Sequence, residues 1–139
     1  MSEAVDIYLF DTSAWLTLIE DEQGADTVQN LLVQAGQGTV LVLTSFKSFM
    51  EVYYISLQEG GEAVAQERLR LMSILPVTRV ESNDQSGLLA AEFKAQHRLS
   101  VADAWIAGLA QERGAILVHK DPEFEQVESG VKVLKLPYK

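Results

Sequence analysis

The chain has 139 residues, 47% of them hydrophobic, with no cysteine, two histidines and a formal net charge of −9. That is enough material for one domain with one core over residues 1–139. It excludes a disulfide framework and thiolate chemistry, leaves too few donors for a structural zinc site, and contains no apolar run near the roughly 20 residues that span a bilayer. The charge argues against non-specific nucleic-acid binding, which relies on lysine and arginine. A clustered subset of the acids would instead suit a divalent cation.

The first six residues, Met1 to Asp6, are acidic and lack the basic region of a signal peptide, so a cytoplasmic protein is expected. An apolar run from Ile7 to Phe10 then ends abruptly in Asp11, Thr12 and Ser13. This reads as a buried strand that delivers Asp11 to its C-terminal end, followed by a helix that Thr12 or Ser13 can cap. In open parallel α/β sheets, ligands bind beyond the carboxyl ends of the strands.

Gly24 punctuates, and Val28, Leu31, Leu32 and Ala35 recur at helical spacing before Gly36 and Gly38. Val40 to Thr44 is a β-branched strand. Ser45 caps a helix with Phe46, Phe49, Met50, Tyr53 and Leu57 on or near one apolar face. Gly60 and Gly61 break the chain, and a further helix runs to about Leu75, where Pro76 stops it. Val77 to Val80 is a short strand, expected near a sheet edge. Helices follow over about Asp84–His97 and Val101–Arg113, the second ended by Gly114. Ile116 to Val118 is the fourth strand, Asp121-Pro122 opens one helical turn, and Val131 to Leu134 is the fifth strand. The alternation of helix and strand gives an α/β class with a mainly parallel sheet.

Four acids, far apart in sequence, are candidates for one site, and each has a structural alternative. Asp11 and Asp121 each follow a buried strand, where an acid is either a helix cap or a ligand at the sheet edge. Glu51 is either a solvated position on an amphipathic helix or a long side chain reaching the strand ends from apolar surroundings. Ser100-Val101-Ala102-Asp103 fits a capping box. The residues after Asp103 are almost all apolar or small, however, and a carboxylate buried there needs a partner or a metal. Cap and ligand are equally compatible with that segment.

The set resembles the PIN-domain family, and most closely its VapC-like toxin ribonucleases. The resemblance rests on Leu9-Phe10-Asp11-Thr12-Ser13, the helix around Glu51, Leu99 to Ala107 around Asp103, and Val118-His119-Lys120-Asp121-Pro122-Glu123-Phe124. It implies a three-layer α/β fold whose parallel five-stranded sheet has order 3-2-1-4-5, so that strands one and four are neighbours. It further implies Asp11, Glu51, Asp103 and Asp121 as catalytic residues and ligands of Mg²⁺ or Mn²⁺, hard ions that favour carboxylate oxygen. Implied partners are an RNA substrate, an antitoxin whose C-terminal segment covers the groove with an Arg or Lys, and a second copy in a homodimer. Ser13 fits the hydroxyl that commonly follows the first acid by two residues. His119 stands where the family often has Thr or Ser. It is either a hydrogen-bond donor and proton shuttle near neutral pH or a neutral strand-end histidine.

Four carboxylates brought together without metal repel, so at least one should titrate high. Lys47, Lys120 and Arg98 are the local candidates for RNA phosphate contact. Two rival readings remain. One is a Mg²⁺-binding receiver-like signalling module, weakened because no acid pair follows the first strand. The other is a PIN-like domain that binds RNA without cleaving it.

Overall fold

Strand β1 (Asp6–Phe10) lies at the centre of the molecule because both of its faces are buried. Leu9 and Phe10 are both 0% exposed and point to opposite sides of the sheet, as alternation along a strand requires. Val42 and Leu43 of β2 (Val40–Ser45) and Leu117 and Val118 of β4 (Ile116–His119) divide in the same way. Adding β3 (Thr78–Val80) and β5 (Val133–Lys135), the computed structural model has one five-stranded parallel sheet of order β3-β2-β1-β4-β5. It describes residues 5–138, so the acidic start over Met1 to Ala4 lies outside the described residues.

One face of the sheet is covered by α1 (Thr12–Ile19), α2 (Ala25–Gly36) and α3 (Phe46–Ile74), packed around Phe10, Trp15, Val28, Val42 and Met72. The other is covered by α4 (Asp84–Gln96) and α5 (Val101–Arg113) around Leu9, Leu43, Phe93, Ile106 and Leu117. Parallel strands need such helical crossovers, which bury both faces. The α4–α5 contact is close because Gly108 lacks a side chain. A Cβ there would lie 2.8 Å from the backbone nitrogen of Ala90.

This order is the expected one, with β1 and β4 hydrogen-bonded neighbours. It differs from the 2-1-3-4-5 order of receiver-like folds, which removes that rival. The break expected at Gly60 and Gly61 is present: Gly61 (φ +85°, ψ −177°) is non-helical and divides α3 into two helical segments. Two details differ from expectation. In the segment of α3 before Gly61 the fully buried stripe is Ser48, Val52 and Ser56, while Met50 is 57% exposed. Hydroxyls suit that stripe because Ser48 meets Thr12 and Ser56 accepts a hydrogen bond from Arg68. Finally, β5 begins at Val133 rather than Val131. The amide of Val131 closes the preceding 3-10 turn (Pro122–Val127) on the carbonyl of Val127, so pairing starts later.

Candidate metal centre

Asp11 leaves β1 at the sheet's C-terminal edge, and its backbone N–H still bonds to the Val118 carbonyl of β4 at 3.0 Å. It is the N-cap of α1, so Thr12 and Ser13 are the first helical residues and not the cap. The Ser13 backbone N–H and hydroxyl both donate to Asp11 Oδ2, so these two bonds occupy a single oxygen. The Ser13 hydroxyl in turn accepts from the Lys120 backbone N–H at 2.9 Å. One hydroxyl thus fastens the end of β1 to the loop after β4.

Asp121 follows β4 by two residues and caps the 3-10 turn, accepting from the Glu123 N–H at 2.9 Å. Its own N–H donates to Nδ1 of His119 at 3.0 Å. The histidine proton therefore resides on Nε2, which is buried without a partner. His119 is 0% exposed, and burial pushes its pKa down, which keeps it neutral. It shapes the Asp121 loop through the backbone, the second of its two sequence readings.

Asp103 settles into the site through an incomplete capping box. Ser100 Oγ accepts from the Asp103 N–H at 3.1 Å, the first half of the motif. The reciprocal bond is missing: the Ser100 N–H donates to Glu123 Oε1 instead. The Asp103 carboxylate is thereby released from the box, and one ligand atom each from Asp103, Asp121 and Glu123 lies within 4.8 Å of the others. Glu51 approaches from α3, where Thr12 Oγ1 donates to its Oε1 at 2.8 Å and also sits 3.0 Å from Ser48 Oγ.

The electrostatics bear the strain of this convergence. Burial first, then the charges of Asp11, Asp121 and Glu123, push Asp103 up to about 9. Burial raises Asp11 to about 6, with hydrogen bonds from Ser13 opposing and the charge of Glu51 adding. A carboxylate whose folded pKa is raised holds its proton more tightly in the native state. Its contribution to stability is then present at low pH and lost as pH rises from the unfolded value through the folded one. The metal-free protein should accordingly melt lower at about pH 8 than at about pH 5, and saturating Mg²⁺ or Mn²⁺ should recover the loss at the higher pH. Thermal melts at both pH values check this; a metal-free melting temperature that climbs over that range would contradict it.

The four predicted acids thus share one edge of the sheet, and Ser13 supports the first of them. Glu123 and Thr12 were not singled out from sequence. The signal for Glu123 was its place two residues after Asp121 in the 3-10 turn, and for Thr12 its place directly after Asp11. Of the cations, Lys120 is only 8% exposed and pairs with Glu22 at 3.5 Å. Arg98 is exposed, its backbone tied to Gln126 in the 3-10 turn. Lys47 is half-buried on α3. Clustered carboxylate oxygens are the donor set that Mg²⁺ and Mn²⁺ favour, so the residues present fit such an ion.

Residues 8–130 match the family profile of the PIN domain. No curated protein matches the chain. Among solved structures, VapBC2 from Rickettsia felis bound to a promoter DNA fragment aligns at a TM-score of 0.78 and 16% identity, covering 94% of this chain and 99% of that one. DNA-bound VapBC from Salmonella typhimurium aligns at 0.71 and 17%, covering 95% and 98%. The sarcin-ricin loop cleaving toxin VapC20 of Mycobacterium tuberculosis aligns at 0.70 and 18%, covering 94% and 99%. At these identities the likeness is one of fold.

Proposed function

The chain belongs to the PIN-domain family, and from that premise we propose that it is a metal-dependent endoribonuclease, the cytoplasmic toxin of a toxin–antitoxin pair. The observation that carries this reading is the meeting of Asp103, Asp121 and Glu123 within 4.8 Å, with Asp11 coupled to Asp103 by charge. Asp11, Asp103 and Asp121 would hold Mg²⁺ or Mn²⁺, with Glu123 beside them. Bound there, the ion would supply Lewis acidity, making water a better nucleophile and neutralising charge that builds on the phosphodiester. Glu51, fixed by Thr12, would orient that water. Ser13 and His119 hold the Asp11 and Asp121 loops in register without touching substrate.

The fold likeness to toxin–antitoxin complexes supports a protein partner. So does a groove of about 500 Å³ between α1, α2 and the second half of α3, lined by Leu18, Ile19, Leu32, Val33, Leu71 and Leu75. An antitoxin segment would bury that apolar surface. Met50, Tyr54 and Leu57, exposed at helical spacing on the first half of α3, support a homodimer. Among the described residues no helix is long and apolar enough to cross a membrane.

The test is cleavage of single-stranded RNA by purified protein in Mn²⁺, with Asp11→Asn prepared in parallel. The parent should cut internal phosphodiester bonds and the variant should not. RNA bound but uncut by the parent would return the reading to a silent RNA-binding domain. Equal cutting by both proteins would show a contaminant and remove the assignment.

A further inference from the structure

A protein of net charge −9 must find somewhere to receive a polyanion. Most of its described cations are already engaged. Arg68, Arg70, Arg79, Arg113, Lys120 and Lys135 each lie within 4.0 Å of a carboxylate. Among the described residues, Lys47, Lys94, Arg98 and Lys132 have no such partner. Three of these four gather around the first turns of α5. Arg98 precedes its N-cap, Lys94 shares a pocket of about 170 Å³ with Trp105 and Val101, and Lys47 reaches Trp105 from α3.

The Lys47 ammonium rests on aromatic rings, not on an acid. Its Nζ is 5.5 Å from the centroid of Phe46 and 5.7 Å from that of Trp105. The two rings meet edge to face at 6.0 Å, and the Trp105 edge is backed by Gly87, where a Cβ would approach it to 3.3 Å. Phe46, Lys47 and Trp105 are all half-buried. Lys47 also lies four residues before Glu51, so the two share a face of α3 one turn apart. Aromatic rings interleaved with positive charge are what single-stranded nucleic acids use for sequence-tolerant binding.

We propose that Phe46, Lys47 and Trp105 form a stacking ledge for single-stranded RNA, in which Lys47 takes a phosphate next to the one being cut and Trp105 takes a base. This rests on the ribonuclease reading and gives the substrate a side of entry. Recruiting Lys47 breaks no ion pair, whereas recruiting Lys120 would cost its pairing with Glu22. RNA therefore runs from the acids over the start of α3 toward α5, with Arg98 at the flank nearer Glu123.

Two tryptophans make the ledge observable. Trp15 is 0% exposed, so RNA at the surface changes the emission of Trp105. The probe is a fluorescently labelled oligouridylate of about ten nucleotides, with the Asp121→Asn protein in Mg²⁺ to keep the RNA whole. Binding is read by anisotropy and stacking by tryptophan quenching. Saturating RNA should quench the emission. Lys47→Ala should weaken binding and lower the salt slope by about 1. Trp105→Leu should weaken it by about 5-fold or more. RNA that binds with emission and both affinities unchanged overturns the ledge and leaves the ribonuclease reading standing. The same holds if Trp105→Leu halves the mass in sedimentation without altering RNA affinity, which would assign the rings to a second copy of the chain. No RNA binding by the protein with or without the Asp121 change removes both readings. Should Trp105→Leu fail to fold, quenching and Lys47→Ala still decide.

Discussion

Stripping divalent metal with a chelator should abolish RNA cleavage, and Mg²⁺ or Mn²⁺ should restore it. The fall should be about 1000-fold or more, equivalent to about 4 kcal/mol in the barrier. Without a cation, Asp103 keeps its proton at neutral pH and Asp11, pushed up to about 6, is ionised in a crowded acidic edge. That edge repels a phosphodiester, and the chain has little else to activate water. There is no cysteine, and His119 is sealed in the core with Nδ1 committed to a backbone amide. Cleavage undiminished in excess chelator would remove the mechanism.

Replacing Asp103 by Asn should cut cleavage by roughly 100-fold or more, about 2.7 kcal/mol in the barrier, with the metal-free fold no less stable. Asn is nearly isosteric, and the half of the capping box that exists uses the Asp103 backbone N–H, which Asn retains. At neutral pH the metal-free Asp103 carboxyl already holds its proton, so Asn keeps a neutral side chain beside Asp11, Asp121 and Glu123 and the fold loses little. What the substitution removes is a group that can ionise to hold a metal ion. Ser100→Ala is the complementary variant. It deletes the bond that does cap α5 and should cost about 1 kcal/mol of stability with cleavage kept. Urea denaturation and initial rates on both proteins separate the two roles. If Asp103→Asn cut RNA at the parental rate at limiting metal, its carboxylate would be structural.

How much of this was legible beforehand follows from the range of the interactions. An apolar run ending in an acid is local, so Asp11 and Asp121 could be placed at strand ends, and the family resemblance supplied the strand order that made them neighbours. Cap and ligand could not be separated at Asp103, because the deciding bond runs from Ser100 to Glu123 across 23 positions. The same contact hid Glu123. On α3, apolar residues occur on nearly every side, so periodicity could not choose the buried stripe; the long-range partners Thr12 and Arg68 choose it through Ser48 and Ser56. Lys120 looked available because its pairing with Glu22 is invisible without the fold.

The double duty of Asp11 and Asp121, each a cap and a member of the acid cluster, has a genetic consequence. Asp and Asn codons differ by one nucleotide, and Asn is among the best N-cap residues. A single transition at either codon therefore yields a chain that keeps its caps, its sheet and its apolar groove while losing a ligand charge. Ala requires a different codon change and forfeits the cap as well. Silenced descendants that still fold, and still occupy whatever protein partner the groove takes, lie one base away. In a lineage or a selection for survivors, inactivation at these positions is expected to arrive as Asn.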